Sequence, residues 1–236
     1  MSIAFVHEWH KTQPGILFTT TVLLLAAILL GPSAGHATPA EDTFPEYPSL
    51  SANVAFWESV YSRYTTRQGI LHDSRDLSRI YAVIELRPTT DARKRKRNRK
   101  TIKAAKARWA GRLRELAKSG SVAGWPDKAL ARRLKAELSP KRLRAAADEV
   151  RCQIGQADRF RKGLIRSGAY LEQIRAIFKK EGLPTELAYL PHVESSFNIK
   201  AYSKFGAAGI WQFTRSSGRR FMQIGYTVDE RRDAIA

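Results

Sequence analysis

The sequence predicts a mostly α fold. Apolar residues recur at steps of three and four in one segment after another. No segment sustains the period-two alternation of half-buried strands. Proline, serine and glycine fall at segment ends, where helices start and stop. There is no internal repeat.

The chain begins with an uncharged run, residues 16–30, that is short for a membrane span and has the length of a signal-peptide core. Gly31 and Pro32 break it, and Gly35-His36-Ala37 offers small residues, Gly35 and Ala37, at the positions a signal peptidase reads. Residues 1–37 are therefore expected to be a signal peptide cleaved after Ala37, or a retained membrane anchor. No cysteine follows the run, which speaks against a lipid anchor. Residues 38–50 hold Pro39, Pro45 and Pro48 and read as a linker.

A basic helical region is expected over residues 51–168. Ser51 is a candidate N-cap for a helix with Val54, Trp57, Val60, Tyr61 and Tyr64 on one face. Leu77, Ile80, Tyr81 and Ile84 have helical spacing, and Pro88 ends that segment. Residues 93–118 open with RKRKRNRK, contain Glu115 as their single acid, and place Ile102, Ala105, Trp109, Leu113 and Leu116 on one face. Pro126 opens a helix with Leu130, Leu134 and Leu138; Ser139 and Pro140 open another with Leu143, Ala147, Val150 and Ile154. Ser167 and Gly168 interrupt the pattern. From residue 169 a second domain is expected, beginning with a helix that carries Leu171, Ile174, Ile177 and Phe178.

With 41 Lys and Arg against 22 Asp and Glu, the net charge is +19. A field of that sign attracts polyanions: nucleic acid, anionic lipid or an acidic polymer. The run at 93–118 is either a solvated helix face or a patch for such a partner. The single cysteine, Cys152, excludes an intrachain disulfide and a metal site built on several thiolates.

The chemistry concentrates after Gly182. In LPTELAYLPHVES, residues 183–195, Leu183, Leu187, Leu190 and Glu194 fall on one helical stripe. Three leucines and then a carboxylic acid place Glu194 on an apolar face. Desolvation there, with the negative end of the helix dipole, would raise its pKa toward that of a general acid. A glutamate paired with one of the many arginines is the ordinary alternative. Close behind comes SKFGAAGIWQF, residues 203–213. Its glycines let backbone approach a ligand, Trp211 offers a flat apolar face of the kind that packs on sugar rings, and Gln212 offers a donor and an acceptor. The ordinary alternative is a buried turn with a structural Trp.

The runs ESSFN (194–198), A-x-S (201–203) and GAAGIWQF (206–213) resemble the signature of the soluble-lytic-transglycosylase domain, which is similar to goose-type lysozyme. YLPHVESSFN, with VDERRD at 228–233, is similar to the membrane-bound lytic murein transglycosylase D group; FWESVYSRY and GILHD also resemble the N-terminal region of those proteins. The resemblance implies a lysozyme-like α domain over residues 169–236. It implies a peptidoglycan lyase that acts without cofactor or metal, cutting the MurNAc–GlcNAc β-1,4 bond to leave 1,6-anhydromuramyl ends. Glu194 would be the single acid and base; Ser195, Ser203 and Gln212 would orient it or contact the glycan; Gly209, Ile210 and Trp211 would line the cleft. The expected partner is the peptidoglycan strand, in the periplasm or cell envelope, with no nucleic acid and with membrane association through the N-terminal segment.

The sequence departs from the family at Ile199, Arg215 and Ala234, where proline is expected. It stops before the family's Ala-Tyr-Asn segment, so the lysozyme-like domain is expected to be incomplete at its C-terminus. A relative that binds peptidoglycan without cutting it is the alternative reading.

Overall fold

The computed structural model describes residues 44–45, 47–89 and 91–235. The expected signal peptide or anchor and most of the linker lie outside them. No helix among the described residues is long and apolar enough to cross a membrane. The chain divides into two compact units, at Arg159 and Phe160.

In the first unit, helix α1 (Ser51–Ser62) buries Phe56 and Val60. Strands β1 (Gln68–Asp73), β2 (Ile80–Glu85) and β3 (Val150–Ile154) form an antiparallel sheet in the order β2-β1-β3. Helix α2 (Ala92–Ser119) is capped by Asp91, whose carboxylate accepts from Lys94 N–H. Helices α3 (Lys128–Glu137) and α4 (Pro140–Asp148) are capped in the same way by Asp127 and Ser139.

The sheet is covered on both faces. Ile70 packs with Phe56 and Val60 of α1. Its neighbour Leu71 points the other way and packs with Trp109, Leu113 and Leu116 of α2, Leu134 of α3 and Leu143 of α4. Each leucine buried this fully contributes about 1.5–3 kcal/mol.

The mostly α class holds, with a sheet that the spacing did not reveal. Ile80, Tyr81 and Ile84 lie on β2 instead of a helix, and GILHD forms most of β1. Val150 and Ile154 lie on β3, because α4 stops at Asp148. A strand covered on both faces loses the polar half of its alternation. Short apolar runs such as IYAVIE then match helical and strand spacing alike.

Helix α5 (Ala157–Ser167) carries the chain into the second unit, followed by α6 (Leu171–Lys180), a 3-10 turn (Thr185–Tyr189), α7 (Leu190–Glu194) and α8 (Arg215–Gly218). The core of this unit is Ile174, Ala188, Phe197, Ile210 and Ala234, with Phe178 and Trp211 packed against it.

Candidate active site

The expected single helix through residues 183–195 is two pieces. The 3-10 turn advances about 120° per residue and α7 about 100°, so the leucine stripe loses register. Pro191 contributes to the break, since it has no N–H to donate back along the chain. Leu183 and Leu190 are exposed, and the segment buries Ala188, Pro191 and His192 instead.

Glu194 is the last residue of α7. It makes no ion pair or hydrogen bond among the described residues, so the arginine-paired alternative is not what the fold builds. More than a third of its surface meets solvent, yet the protein crowding it desolvates the carboxyl and raises its pKa. A group that is reachable and still poorly solvated can hold a proton and hand it to a ligand.

The backbone turns sharply after Glu194. Ser196 and Phe197 both have φ near 53°, a left-handed conformation that costs non-glycine residues about 1–3 kcal/mol each. Several contacts offset the cost. Phe197 is 1% exposed in the core, and its N–H donates to Pro191 O at 3.0 Å. The Arg166 guanidinium donates to Ser196 O through Nε (2.9 Å) and Nη2 (2.5 Å). His192 is buried among Phe160, Phe197 and Tyr189, and burial lowers its pKa. Helix α5 approaches closely here: a Cβ on Gly163 would stand 3.2 Å from His192 Nδ1.

Ser195 ties this turn to the glycine loop. Its hydroxyl donates to Ile210 O at 2.9 Å and accepts from Asn198 N–H at 3.3 Å. Ser203 is 3% exposed, and its hydroxyl accepts from the N–H groups of Phe205 and Ala207. It shapes the loop from within. The Ile210 side chain is fully buried, so what it presents to Ser195 is its carbonyl. Trp211 packs against Phe178, with ring centroids 5.9 Å apart, and donates its indole N–H to Ala234 O at 3.2 Å. It is half-buried against the core. Gln212 has φ 54° and donates to Gly209 O at 2.8 Å, which leaves its amide oxygen to accept.

Arg231 escaped the sequence reading except as one letter of VDERRD. Its side chain is wholly buried, pairs with both Asp229 oxygens at 2.8 and 2.7 Å, and donates to Gly206 O and Phe213 O. The pair holds the Asp229 carboxyl below the usual range. The Arg231 backbone crosses the loop so closely that a Cβ on Gly209 would fall 1.6 Å from Arg231 O. Among 41 basic residues, nothing local marks this one as buried. No group of three or more His, Cys, Asp or Glu among the described residues could hold a metal ion.

Residues 173–236 match the family described as Transglycosylase SLT domain. The chain is 42% identical over 71 residues to a putative tributyltin chloride resistance protein of Alteromonas sp. (strain M-1), covering 30% of this chain and 34% of that protein. It is 41% identical over 73 residues to membrane-bound lytic murein transglycosylase D of Escherichia coli (strain K12), covering 30% of this chain and 16% of that one. The matched part of the chain thus spans about a third of the length of one relative and about a sixth of the other. No solved structure matches it. The segment that holds Glu194 and the glycine loop is the part of the chain that matches the Transglycosylase SLT domain family and is similar to these relatives.

Proposed function

We propose that this chain is a peptidoglycan lytic transglycosylase that cuts the MurNAc–GlcNAc β-1,4 bond with Glu194 as single acid and base. The observation that carries the reading is an accessible carboxyl with no partner among the described residues and a raised pKa, at the end of a helix tied to the glycine loop. The protonated carboxyl gives its proton to the glycosidic oxygen as the bond to the muramyl anomeric carbon breaks. The resulting carboxylate takes the proton of the muramyl C6 hydroxyl as that oxygen closes onto the same carbon. One proton is given and one regained, so a 1,6-anhydro ring forms without water or a second carboxylate. Asp229, engaged by Arg231, is poorly placed to supply that second acid.

Ser195 holds the end of α7 against the loop, and Ser203 sets the loop's shape. The Gln212 amide oxygen and the exposed part of Trp211 meet the glycan. The site of action is the cell envelope, reached through the N-terminal segment as export signal or anchor.

The test is digestion of peptidoglycan sacculi by the purified chain, with products read by mass spectrometry and Glu194→Gln as control. Anhydromuropeptides from the wild type alone are expected. The openness of Glu194 supports a second reading, a glycan-binding relative without activity. Sacculus binding with no products from a folded wild-type chain would establish that reading instead.

A further inference from the structure

We propose that the exposed face of α2 is an electrostatic docking surface for an anionic phospholipid bilayer. Thirteen of the helix's 28 residues are Lys or Arg, and Glu115 is its single acid. Lys94 pairs with Asp91 at 3.5 Å and Arg114 with Asp148 at 2.6 Å. Arg93, Lys96, Arg97, Lys100, Lys103 and Arg108 are exposed and make no ion pair among the described residues. Counted from Arg93 they stand at offsets of 3, 4, 7, 10 and 15. That spacing puts all six on one side of the helix, along about 22 Å of its axis.

Helix physics opposes this arrangement. The first turn carries no acid, so Arg93, Lys94 and Arg95 meet the positive end of the helix dipole. Like charges at steps of three and four repel. The helix stands because its other face is held by Trp109, Leu113 and Leu116, and by Asn98, whose amide bonds Arg87 N–H and C=O at 3.0 and 2.8 Å. A layer of fixed anions would remove the opposition.

The rest of the face selects a bilayer among polyanions. Between Arg93 and Arg108 its other exposed residues are Ala104 and Ala107, so it is low between the charges; Gly111, Arg114, Glu115 and Lys118 continue the same side toward the C-terminus. No aromatic ring stands on it to stack on a base or a sugar, as single-stranded nucleic acids and glycans favour. No large apolar side chain is there to insert, so the helix lies on the headgroups. A planar array of lipid phosphates meets cations along one side of a rod. The uncharged run at 16–30, expected as an export signal or a membrane anchor, fits a chain that meets a membrane on its route.

The test measures binding of the full chain to vesicles of phosphatidylcholine, with and without 30 mol percent (roughly the anionic content of a charged leaflet) phosphatidylglycerol. Neutral vesicles report any contribution of the apolar N-terminal run, so the increment from phosphatidylglycerol is the readout. In R93Q/K96Q/R97Q/K100Q/K103Q that increment is expected to fall at least about a hundredfold. Helicity and melting temperature should hold, since the variant relieves repulsion. K128Q/R132Q/K141Q/R142Q/R144Q removes as many exposed cations from α3 and α4 and should lose far less. Equal losses in the two variants would overturn the proposal, leaving net charge alone. So would the lack of an increment in the wild type, or tighter α2-dependent binding to duplex DNA or polyglutamate at the same salt.

Discussion

Glu194 ends α7 with its carboxyl unpaired and its pKa raised by desolvation. A raised value in the folded chain has a definite sign in stability. Below the ordinary glutamate range both folded and unfolded chains are protonated, and there is no cost. As pH rises above that range the native chain keeps a proton that the unfolded one has lost, and stability falls. Glu194→Gln should therefore melt higher than wild type at pH 7, with the gain vanishing toward pH 4 (roughly the ordinary carboxylate value) even as activity is abolished. A gain independent of pH would mean that the carboxyl is not desolvated. His72 behaves oppositely. Buried on β1 against Phe56, and facing Arg151 and Lys106, its ring is pushed from 6.5 to about 4. The native chain then holds fewer protons than the unfolded one below pH 6.5, and stability drops until about pH 4. The loss amounts to about 3 kcal/mol. His72→Phe should flatten that slope in urea titrations at pH 7, 5.5 and 4; an unchanged slope would place the titrating group elsewhere.

The glycine loop is held from outside itself. Gly209 has φ 74° and lies under the Arg231 backbone, while the Arg231 guanidinium binds the carbonyls of Gly206 and Phe213. Gly209→Ala cannot be accommodated without moving that crossing segment, a 3-10 turn over Glu230–Arg232. It should remove activity and expose Trp211, seen as a red-shifted tryptophan emission, while leaving the Glu46–Arg159 unit folded. Native emission together with full activity would contradict the crossing. Arg231→Met strips partners from two carbonyls and from Asp229 and should cost about 3–5 kcal/mol, measured by denaturant unfolding. The motif letters ESSFN and GAAGIWQF were legible in advance, and so were Ser139 at the start of α4 and the leucines of α3 and α4; α3, expected to open at Pro126, is capped instead by Asp127. The three strands were not, because β1 is covered on both faces and carries no polar alternation. The break in the leucine stripe was also hidden, although Pro191 stood in it.

A net charge of +19 is spread over a chain whose substrate is, on the proposed function, an anionic polymer. Ionic strength should therefore separate capture from chemistry. Between about 0.05 and 0.5 M salt the screening length shrinks from about 14 to 4 Å. Binding to sacculi should weaken steeply while turnover on short glycan fragments changes little. Salt-independent sacculus binding would show that the charge plays no part in capture. The two compact units each have a hydrophobic core. The unpaired cations of α2 belong to the first unit, and Glu194 with its loop to the second.

Local information in the chain was enough for the helical class, the start of α4 at Ser139, the basic run and the candidate acid with its glycine loop. Each rests on residues within a turn or two of one another: capping side chains, apolar steps of three and four, short motifs. Local information missed the caps Asp91 and Asp127, and Ser51, expected as a cap, is the first residue of α1. Long-range packing settled the rest. Leu71 and Ile70 became opposite faces of one covered strand because α1 and α2 to α4 close over them. Ser203, a candidate by resemblance, is occupied inside the fold, and Trp211, a candidate by residue type, is half-buried there. Arg231, ordinary among many arginines, is buried because Asp229 and two loop carbonyls surround it. Such roles depend on which distant groups satisfy a charge or an N–H, and spacing along the chain does not encode that.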